Sequence, residues 1–201
     1  MDPAIAHSTG KDGNTVALTF DDGPDPRWTP QILSLLAQYH ARATFCLIGP
    51  LAEAHPDLVH DIVAAGHRLC DHTVHHDEAM HALSPEAQDY EIAGAQGMID
   101  RAAGGHAPLR YFRAPGGDFT PAIRQIAVRH GLRPLGWTVD AEDWKRPGVP
   151  AILSNVKSEL EPGGIVLMHD AGGDRSQTVQ ALKELLPWLV ASGYEFDFPE
   201  L

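Results

Sequence analysis

The sequence predicts an α/β protein: a short, distorted (β/α) barrel of about seven parallel strands in a single domain. Apolar runs typical of strands alternate with helix-spaced patterns from end to end, which favours a parallel sheet covered by helices. The chain has 201 residues, whereas a regular eightfold barrel usually takes about 250. A doubly wound open sheet is the competing fold, but no glycine fingerprint for nucleotide binding follows the first strand.

Short local signals mark the individual elements. Apolar runs predict strands at residues 15–20, 43–48, 67–70, 109–112, 134–139, 165–168 and 194–198. Hydroxyl-proline pairs, which are typical of helix starts, open helices at Thr29-Pro30, Ser84-Pro85 and Thr120-Pro121. Further helices are predicted over 56–65, 150–160 and 176–191, the last with a kink or restart at Pro187. Residues 1–13 are expected to form a flexible lead-in to one domain over residues 14–201.

Composition and charge exclude several classes of protein. A hydrophobic content of 43% and a charged content of 21% are typical of a globular chain. The formal net charge of -12 argues against nucleic acid as the main partner. No apolar run reaches membrane-spanning length, and we expect a signal peptide to be absent or trimmed. Cys46 and Cys70 are either two buried small hydrophobic residues or a disulfide, and the sequence does not decide between them.

Titratable side chains follow five of the predicted strands. The carboxyl ends of barrel strands open on one face, and active sites of this architecture lie there. The titratable residues at these ends include Asp21, Asp22, His72, His76, Arg113, Asp140, Asp143 and His169, and Trp144 follows Asp143. We therefore expect them to converge on one site.

The histidine-rich segment 71–76 predicts part of a metal site. His72 and His76 are four residues apart, a spacing that places both imidazoles on one side of a helical turn. With the carboxylate of Asp22 they form a donor set that suits catalytic zinc and equally cobalt, nickel or iron. For an isolated histidine pair, a solvated surface is an equally good interpretation.

Two more of these residues predict proton transfer beside the metal. Asp21 is the candidate base for an attacking water, and Arg113 could hold its carboxylate ionised through a bidentate pair. His169 is the candidate acid for a leaving group, with Asp143 orienting it and favouring its protonated form. Two further residues, Trp144 and Leu167, could form an apolar wall for a small acyl group, although both could simply belong to the core.

Five motifs occur in the order found in one enzyme family. They are TFDDGP at residues 19–24, H-S/T-x-x-H at 72–76, R-x-P at 113–115, D-x-x-D-W at 140–144 and L-x-H at 167–169. With these motifs the chain resembles the NodB-type polysaccharide deacetylases, carbohydrate esterase family four, from about residue 15 to residue 198.

The resemblance implies a distorted barrel and the removal of acetyl groups from chitin, chitooligosaccharides, peptidoglycan or xylan. It implies that Asp21 is the base, steadied by Arg113, and that His169 is the acid, tuned by Asp143. The implied metal ligands are Asp22, His72 and His76, and the implied acetyl pocket contains Trp144 and Leu167. We expect zinc, with cobalt or nickel as alternatives, a glycan substrate, a monomer and, because most family members are exported, an extracellular or cell-surface location.

One position departs from the family pattern. The family usually has an aromatic residue after R-x-P, whereas Gly116 and Gly117 follow Pro115 here. The family places an oxyanion-stabilising backbone N–H at this point, which Gly116 keeps. The missing side chain is expected to widen one wall of the substrate groove.

These observations favour a metal-dependent hydrolase that deacetylates N-acetylglucosamine units of a glycan. An O-acetyl esterase acting on acetylxylan would use the same residues. A non-haem iron oxygenase using His75, Asp77 and His169 fits the alternating strands and helices poorly. A glycan-binding module with an inactive site would not need both Asp21 and His169.

Overall fold

The computed structural model describes residues 1–105 and 109–201 and confirms a curled sheet of parallel strands covered by helices in a single domain. The strands are β1 (Thr15–Gly23), β2 (Ala43–Leu47), β3 (Arg68–Asp71), β4 (Leu109–Phe112), β5 (Arg133–Pro134), β6 (Val139–Asp140), β7 (Gly164–His169) and β8 (Glu195–Phe196). They are ordered β5-β4-β3-β2-β1-β7-β6, and β8 pairs with the start of β1. The central strand, β1, is buried along almost its whole length because β2 and β7 flank it and helices cover it.

Within the described residues, seven α-helices connect the strands. They are α1 (Thr29–Gln38), α2 (Gly49–Ala54), α3 (Pro56–Ala64), α4 (Pro85–Ala102), α5 (Pro121–Arg129), α6 (Val149–Glu159) and α7 (Ser176–Ala191). The caps predicted at Ser84 and Thr120 are confirmed, since each hydroxyl accepts a backbone N–H three residues on. Helix α2 has no counterpart in the sequence prediction.

Two local predictions about helices differ from the structure. Thr29 is the first residue of α1 and not its cap, because its hydroxyl donates to Asp170 at 2.6 Å and accepts from the Asp25 N–H. Helix α7 continues through Pro187, so of the predicted kink or restart the restart does not occur.

The single strand predicted over 134–139 is wrong. Its two ends overlap β5 and β6, strands of two residues each that lie at opposite ends of the strand order. Between them, the Leu135 N–H donates to Phe112 of β4 and the Thr138 N–H donates to Ile165 of β7. The segment thus bridges the two edges of the sheet, and this bridge is what curls the sheet into a distorted barrel.

Cys46 and Cys70 are register partners on the neighbouring strands β2 and β3 and form a disulfide. Of the two alternatives that the sequence left open, the structure therefore has the bridge. Both residues are fully buried.

The N-terminal residues lie against the barrel. Ala6 is buried and pairs with Leu135, and Thr9 pairs with Pro199. The flexibility of residues 1–13 and the domain boundary at residue 14 stay predictions. Within residues 1–105 and 109–201, none of the helices combines the length and the apolar character that crossing a bilayer requires.

Candidate active site

The carboxyl ends of the strands surround a cavity of about 460 Å³. Eight predicted site residues line it: Asp21, Asp22, His72, His76, Gly116, Trp144, Leu167 and His169. The other two predicted residues, Arg113 and Asp143, are buried and hydrogen-bond to residues in the lining. The convergence predicted from the strand ends is therefore what the fold produces.

Adjacent carboxylates on β1 reach the same cavity because the strand is irregular at this point. In a regular strand, successive side chains point to opposite faces. Between Asp21 and Gly23 the pairing of β1 with β2 shifts register, and Asp22 has a left-handed backbone with φ of 75°. A bulge of this kind redirects a side chain. It allows Asp21 and Asp22 to face one site.

His72 and His76 approach each other from an irregular loop and not from the helical turn that their spacing suggested. Thr73 and His76 have positive φ values of 71° and 54°. The two ring centroids nevertheless lie 4.9 Å apart. His72 is tautomerically fixed, because its Nδ1–H donates to the carbonyl of Arg113 at 2.8 Å. Its Nε2 is thereby the ring nitrogen that faces the cluster and is left to bind a proton or a metal ion.

Asp22, His72 and His76 fit a divalent cation. Their donor atoms all lie within 4.8 Å of one another, and Asp22 Oδ1 is 3.5 Å from His72 Nε2 and 3.1 Å from His76 Nε2. Among the described residues, no hydrogen-bond donor is matched to the buried Oδ1 of Asp22. A buried carboxylate oxygen without a partner is costly, and a cation between the two imidazoles would satisfy it.

Electrostatics at this cluster favour an ionised carboxylate. Burial raises the pKa of Asp22, but the neighbouring imidazoles of His72 and His76 outweigh burial and hold that pKa well below its ordinary value. Burial lowers the pKa of His72, but the charges of Asp21 and Asp22 raise it above its ordinary value. The same negative charge that attracts a proton to the His72 ring would attract a metal ion in its place.

Asp21 is held by a fully buried arginine. Arg113 is 0% exposed, and its Nη1 donates to Asp21 Oδ1 at 2.7 Å and to Thr19 Oγ1 at 2.8 Å. The pair is not bidentate as predicted, because the Nε and Nη2 donors bind the carbonyls of Leu135 and Gly136. The other carboxylate oxygen, Asp21 Oδ2, faces the Asp22-His72-His76 cluster and lies 3.6 Å from His72 Nε2.

His169 lies on β7 as the register partner of Asp21, and its ring contacts a second carboxylate, that of Asp143. Its Nδ1–H donates to Asp143 Oδ1 at 2.7 Å, and its backbone N–H donates to Asp143 Oδ2 at 2.9 Å. Burial lowers the pKa of His169, but the hydrogen bond and charge of Asp143, with the charges of Asp21 and Asp22, raise it to about 9. His169 is therefore protonated near neutral pH and can give up a proton from Nε2.

The wall of the cavity contains the three residues predicted for it. Leu167 is buried in β7 with its side chain in the lining, and Trp144 is 51% exposed at the rim. Gly116 has φ of 59°, and a Cβ built there would lie 3.3 Å from the side chain of Glu78. Glu78 thus lies against the space that an aromatic residue at position 116 would need.

Sequence reasoning gave no specific role to six residues of the lining, of which Ala114 and Asp140 fall within the R-x-P and D-x-x-D-W motifs. The six are Glu78, Ala114, Trp137, Asp140, Gly172 and Arg175. Asp140 is the last residue of β6, and Trp137 lies between β5 and β6, within the segment that was predicted as a single strand. Arg175 comes six residues after His169 in the glycine-rich loop that follows β7, and no spacing pattern indicated it. His75 does not reach the site, because its exposed ring bonds to Glu91.

Two curated relatives cover most of the chain. A family model described as polysaccharide deacetylase matches residues 8–135. A peptidoglycan-N-acetylglucosamine deacetylase of Bacillus cereus is 41% identical over 183 residues, which is 90% of this chain and 84% of that protein. A chitooligosaccharide deacetylase of Bradyrhizobium is 38% identical over 192 residues, 90% of this chain and 87% of that protein.

A solved structure agrees with the sequence matches. It is a peptidoglycan N-acetylglucosamine deacetylase in complex with 4-naphthalen-1-yl-N-oxidanyl-benzamide, 33% identical, with a TM-score of 0.89. The match covers 96% of this chain and 90% of that one. Family model, relatives and fold agree, and the chain belongs to the polysaccharide deacetylases, the family of enzymes that the five motifs indicated.

Proposed function

We propose that this enzyme hydrolyses the N-acetyl groups of N-acetylglucosamine units in a glycan of the chitooligosaccharide or peptidoglycan type. The observation that carries this proposal is the cavity in which a carboxylate and a protonated imidazole flank an Asp-His-His cluster. The relatives named above act on these two substrate classes, which supports the choice of an amide on an amino sugar.

Asp22, His72 and His76 are proposed to hold the divalent cation, with zinc as the first choice and cobalt or nickel as alternatives. Two imidazoles and one carboxylate with open positions suit all three metals. When bound, such a metal supplies a Lewis acid for the acetyl carbonyl and lowers the pKa of a water molecule. The His72 tautomer and the unpartnered Asp22 oxygen support this assignment.

Asp21 is proposed to take the proton of the attacking water. Its carboxylate has one oxygen bound by Arg113 and the other facing the cluster, so it is oriented for that transfer. Arg113 is buried and always charged, and its hydrogen bond fixes the orientation of the Asp21 carboxylate.

His169 is proposed to protonate the departing nitrogen. The oxygen of water ends in acetate, the C–N bond of the amide breaks, and the sugar leaves as an amine that carries the His169 proton. The backbone N–H of Gly116 is proposed to donate to the oxyanion that forms at the acetyl carbonyl. Asp143 keeps His169 charged and fixes which ring nitrogen is free.

Two residues of the cavity wall are proposed to form the acetyl pocket. Leu167 and Trp144 are proposed to enclose the acetyl methyl group, whose burial favours binding.

We further propose that the enzyme acts as a monomer outside the cytoplasm. The Cys46–Cys70 disulfide supports that location, since disulfides persist in oxidising compartments.

Acetate release from N-acetylglucosamine oligomers, combined with metal analysis of the purified protein, tests the proposal. Asp21→Asn and His169→Ala are each expected to lower kcat by about several hundredfold or more, since each removes a proton-transfer group. Asp77→Asn and His81→Ala change the same residue types outside the cavity lining and are expected to leave kcat unchanged. Full activity in either site variant would contradict the assigned roles, and faster release from acetylxylan than from the amino-sugar oligomers would favour an O-acetyl esterase.

A further inference from the structure

The loop that contains His72 and His76 has an irregular backbone, and its own residues satisfy only some of its backbone N–H groups. Thr73 and His76 both have positive φ, a conformation that L-residues with side chains adopt at a cost. In such a loop the successive N–H groups do not point at the partners that a helix or strand would provide. The loop therefore needs acceptors from elsewhere.

Side chains supply an acceptor to each backbone N–H from Thr73 to His76. The Thr73 N–H donates to Asp71 Oδ1 at 2.8 Å, and the His76 N–H donates to Thr73 Oγ1 at 3.0 Å. The two N–H groups between them, those of Val74 and His75, both donate to Glu91 Oε2, at 3.1 Å and 2.9 Å. Consecutive N–H groups directed at one anion form a backbone nest, and here the anion is a carboxylate of the same chain.

Glu91 differs from the other acceptors because it comes from a distant, rigid element. It lies on α4, is 4% exposed, and sits between buried residues of that helix. Its other oxygen, Oε1, accepts from His75 Nδ1 at 2.5 Å. Thr73 belongs to the loop itself, and Asp71 is the last residue of β3, directly before the loop. Glu91 fixes the loop relative to the helical layer.

We propose that Glu91 is a positioning residue for the metal ligands. Through the Val74 and His75 N–H groups it holds the middle of the loop, and so sets the separation and direction of the imidazoles of His72 and His76. The inference rests on the proposed metal site. Partners outside the ligand set typically contribute about 10-fold to 100-fold to metal affinity.

Zinc affinity of the apo-protein, measured by competition with a chromophoric chelator, tests this role without depending on turnover. Glu91→Ala is expected to raise the zinc Kd about 10-fold to 100-fold. Glu86→Ala removes an exposed glutamate from the first turn of the same helix and is expected to leave the Kd within about twofold. His75→Ala removes the ring contact but keeps both backbone hydrogen bonds, and is also expected to leave zinc affinity nearly unchanged.

Rescue experiments separate positioning from general destabilisation. Activity of Glu91→Ala should recover as zinc is raised to saturation, whereas a misfolded enzyme would not recover. Glu91→Gln keeps an oxygen acceptor for the two N–H groups and should bind zinc more tightly than Glu91→Ala. If the alanine variant fails to fold, Glu91→Met keeps the buried volume without an acceptor and should show the same loss.

Two negative results have different meanings. A folded Glu91→Ala or Glu91→Met protein that binds zinc as tightly as the wild type would overturn the role of Glu91 and leave the metal site intact. A wild-type protein that binds no zinc, cobalt or nickel would instead overturn the proposed metal site and this inference with it.

Discussion

Asp143 uses both carboxylate oxygens to control a single histidine. One oxygen accepts from the His169 ring, and the other accepts from the His169 backbone N–H and from the Thr178 hydroxyl at 2.7 Å. This arrangement opposes the effect of burial and raises the pKa of His169 to about 9. An acid whose pKa is raised stays protonated as the pH rises through neutrality.

Replacing Asp143 is expected to move the alkaline limb of the activity profile. In the proposed mechanism activity falls as pH rises through the pKa of His169, because only the protonated ring can act as the acid. Asp143→Asn removes the negative charge, so the limb should shift toward the ordinary histidine pKa of about 6.5, and kcat/KM at pH 8 should fall about 10-fold or more. The measurement is kcat/KM against pH at saturating metal.

Thr178→Val serves as the matched control for this experiment. It removes one hydrogen bond to Asp143 but keeps the carboxylate charge, so its alkaline limb should lie close to that of the wild type. An Asp143→Asn enzyme whose alkaline limb coincides with that of the wild type would refute the link between Asp143 and His169.

The carboxyl ends of the neighbouring strands β1 and β7 are closely packed beside the site. Gly23 ends β1, and a Cβ added there would lie 2.7 Å from the carboxyl carbon of Asp170, which follows β7. Asp170 is fully buried, and burial, with the nearby charges of Asp22 and Asp21, raises its pKa to about 7, although the Thr29 hydroxyl lowers it. Any side chain at residue 23 must displace this carboxyl group.

Gly23→Ala is expected to destabilise the protein through this contact. Forcing one carbon into a packed junction typically costs about 1–3 kcal/mol in the free energy of unfolding. Urea unfolding measures the loss. Asp170→Ala is also expected to destabilise, because it leaves the Thr29 hydroxyl without its acceptor.

The double variant Gly23→Ala, Asp170→Ala identifies the cause. If the clash is with Asp170, the two substitutions together should cost clearly less than the sum of the single costs, since removing the carboxyl group makes room for the methyl group. Additive losses would mean that Gly23 is required for another reason.

At the scale of the whole molecule, the two ends of the barrel have different electrostatic roles. The carboxyl ends of the strands carry the site. At the opposite end, His67 precedes β3, and its Nδ1 accepts the Ala43 N–H at the start of β2. Burial, with the nearby charge of Arg42, lowers the pKa of His67 to about 4. In the folded protein this ring is therefore neutral across the physiological range.

His67 is expected to make the protein less stable in mild acid. Its pKa is about 6.5 when unfolded and about 4 when folded, so between these values the unfolded chain binds more protons. The stabilisation is complete above pH 6.5 and declines as pH falls toward 4. Allowing for partial screening, the wild type should lose about 1 kcal/mol more than His67→Gln between pH 7.5 and pH 5, or about 3 °C in Tm.

Thermal unfolding of both proteins at several pH values checks this expectation. Glutamine keeps an acceptor for the Ala43 N–H but does not titrate, so the difference between the two proteins isolates the proton on His67. Parallel Tm curves for the two proteins would show that His67 does not control acid stability. The buried carboxyl groups contribute equally to both curves and cancel in the comparison.

The fold class, most elements and the residues at the strand ends could be predicted from the amino-acid sequence alone. Alternation of apolar runs and helix starts is a local signal, and the carboxyl ends of parallel strands share one face whatever their exact order. For this reason Asp21, Asp22, His72, His76 and His169 could be predicted to line one cavity. Short motifs were enough to identify the family, because their residue types are dictated by the chemistry they perform.

The orientation of these side chains depends instead on contacts that form only when the chain is folded. The bulge at Asp22, the split of residues 133–140 between opposite ends of the strand order, and the Glu91 contacts to the His72 loop all depend on partners distant in the chain. Glu78, Trp137 and Arg175 line the cavity for the same reason. Hydrogen bonds between remote segments leave no periodic trace in the sequence, so this part of the site became visible only once the chain was folded.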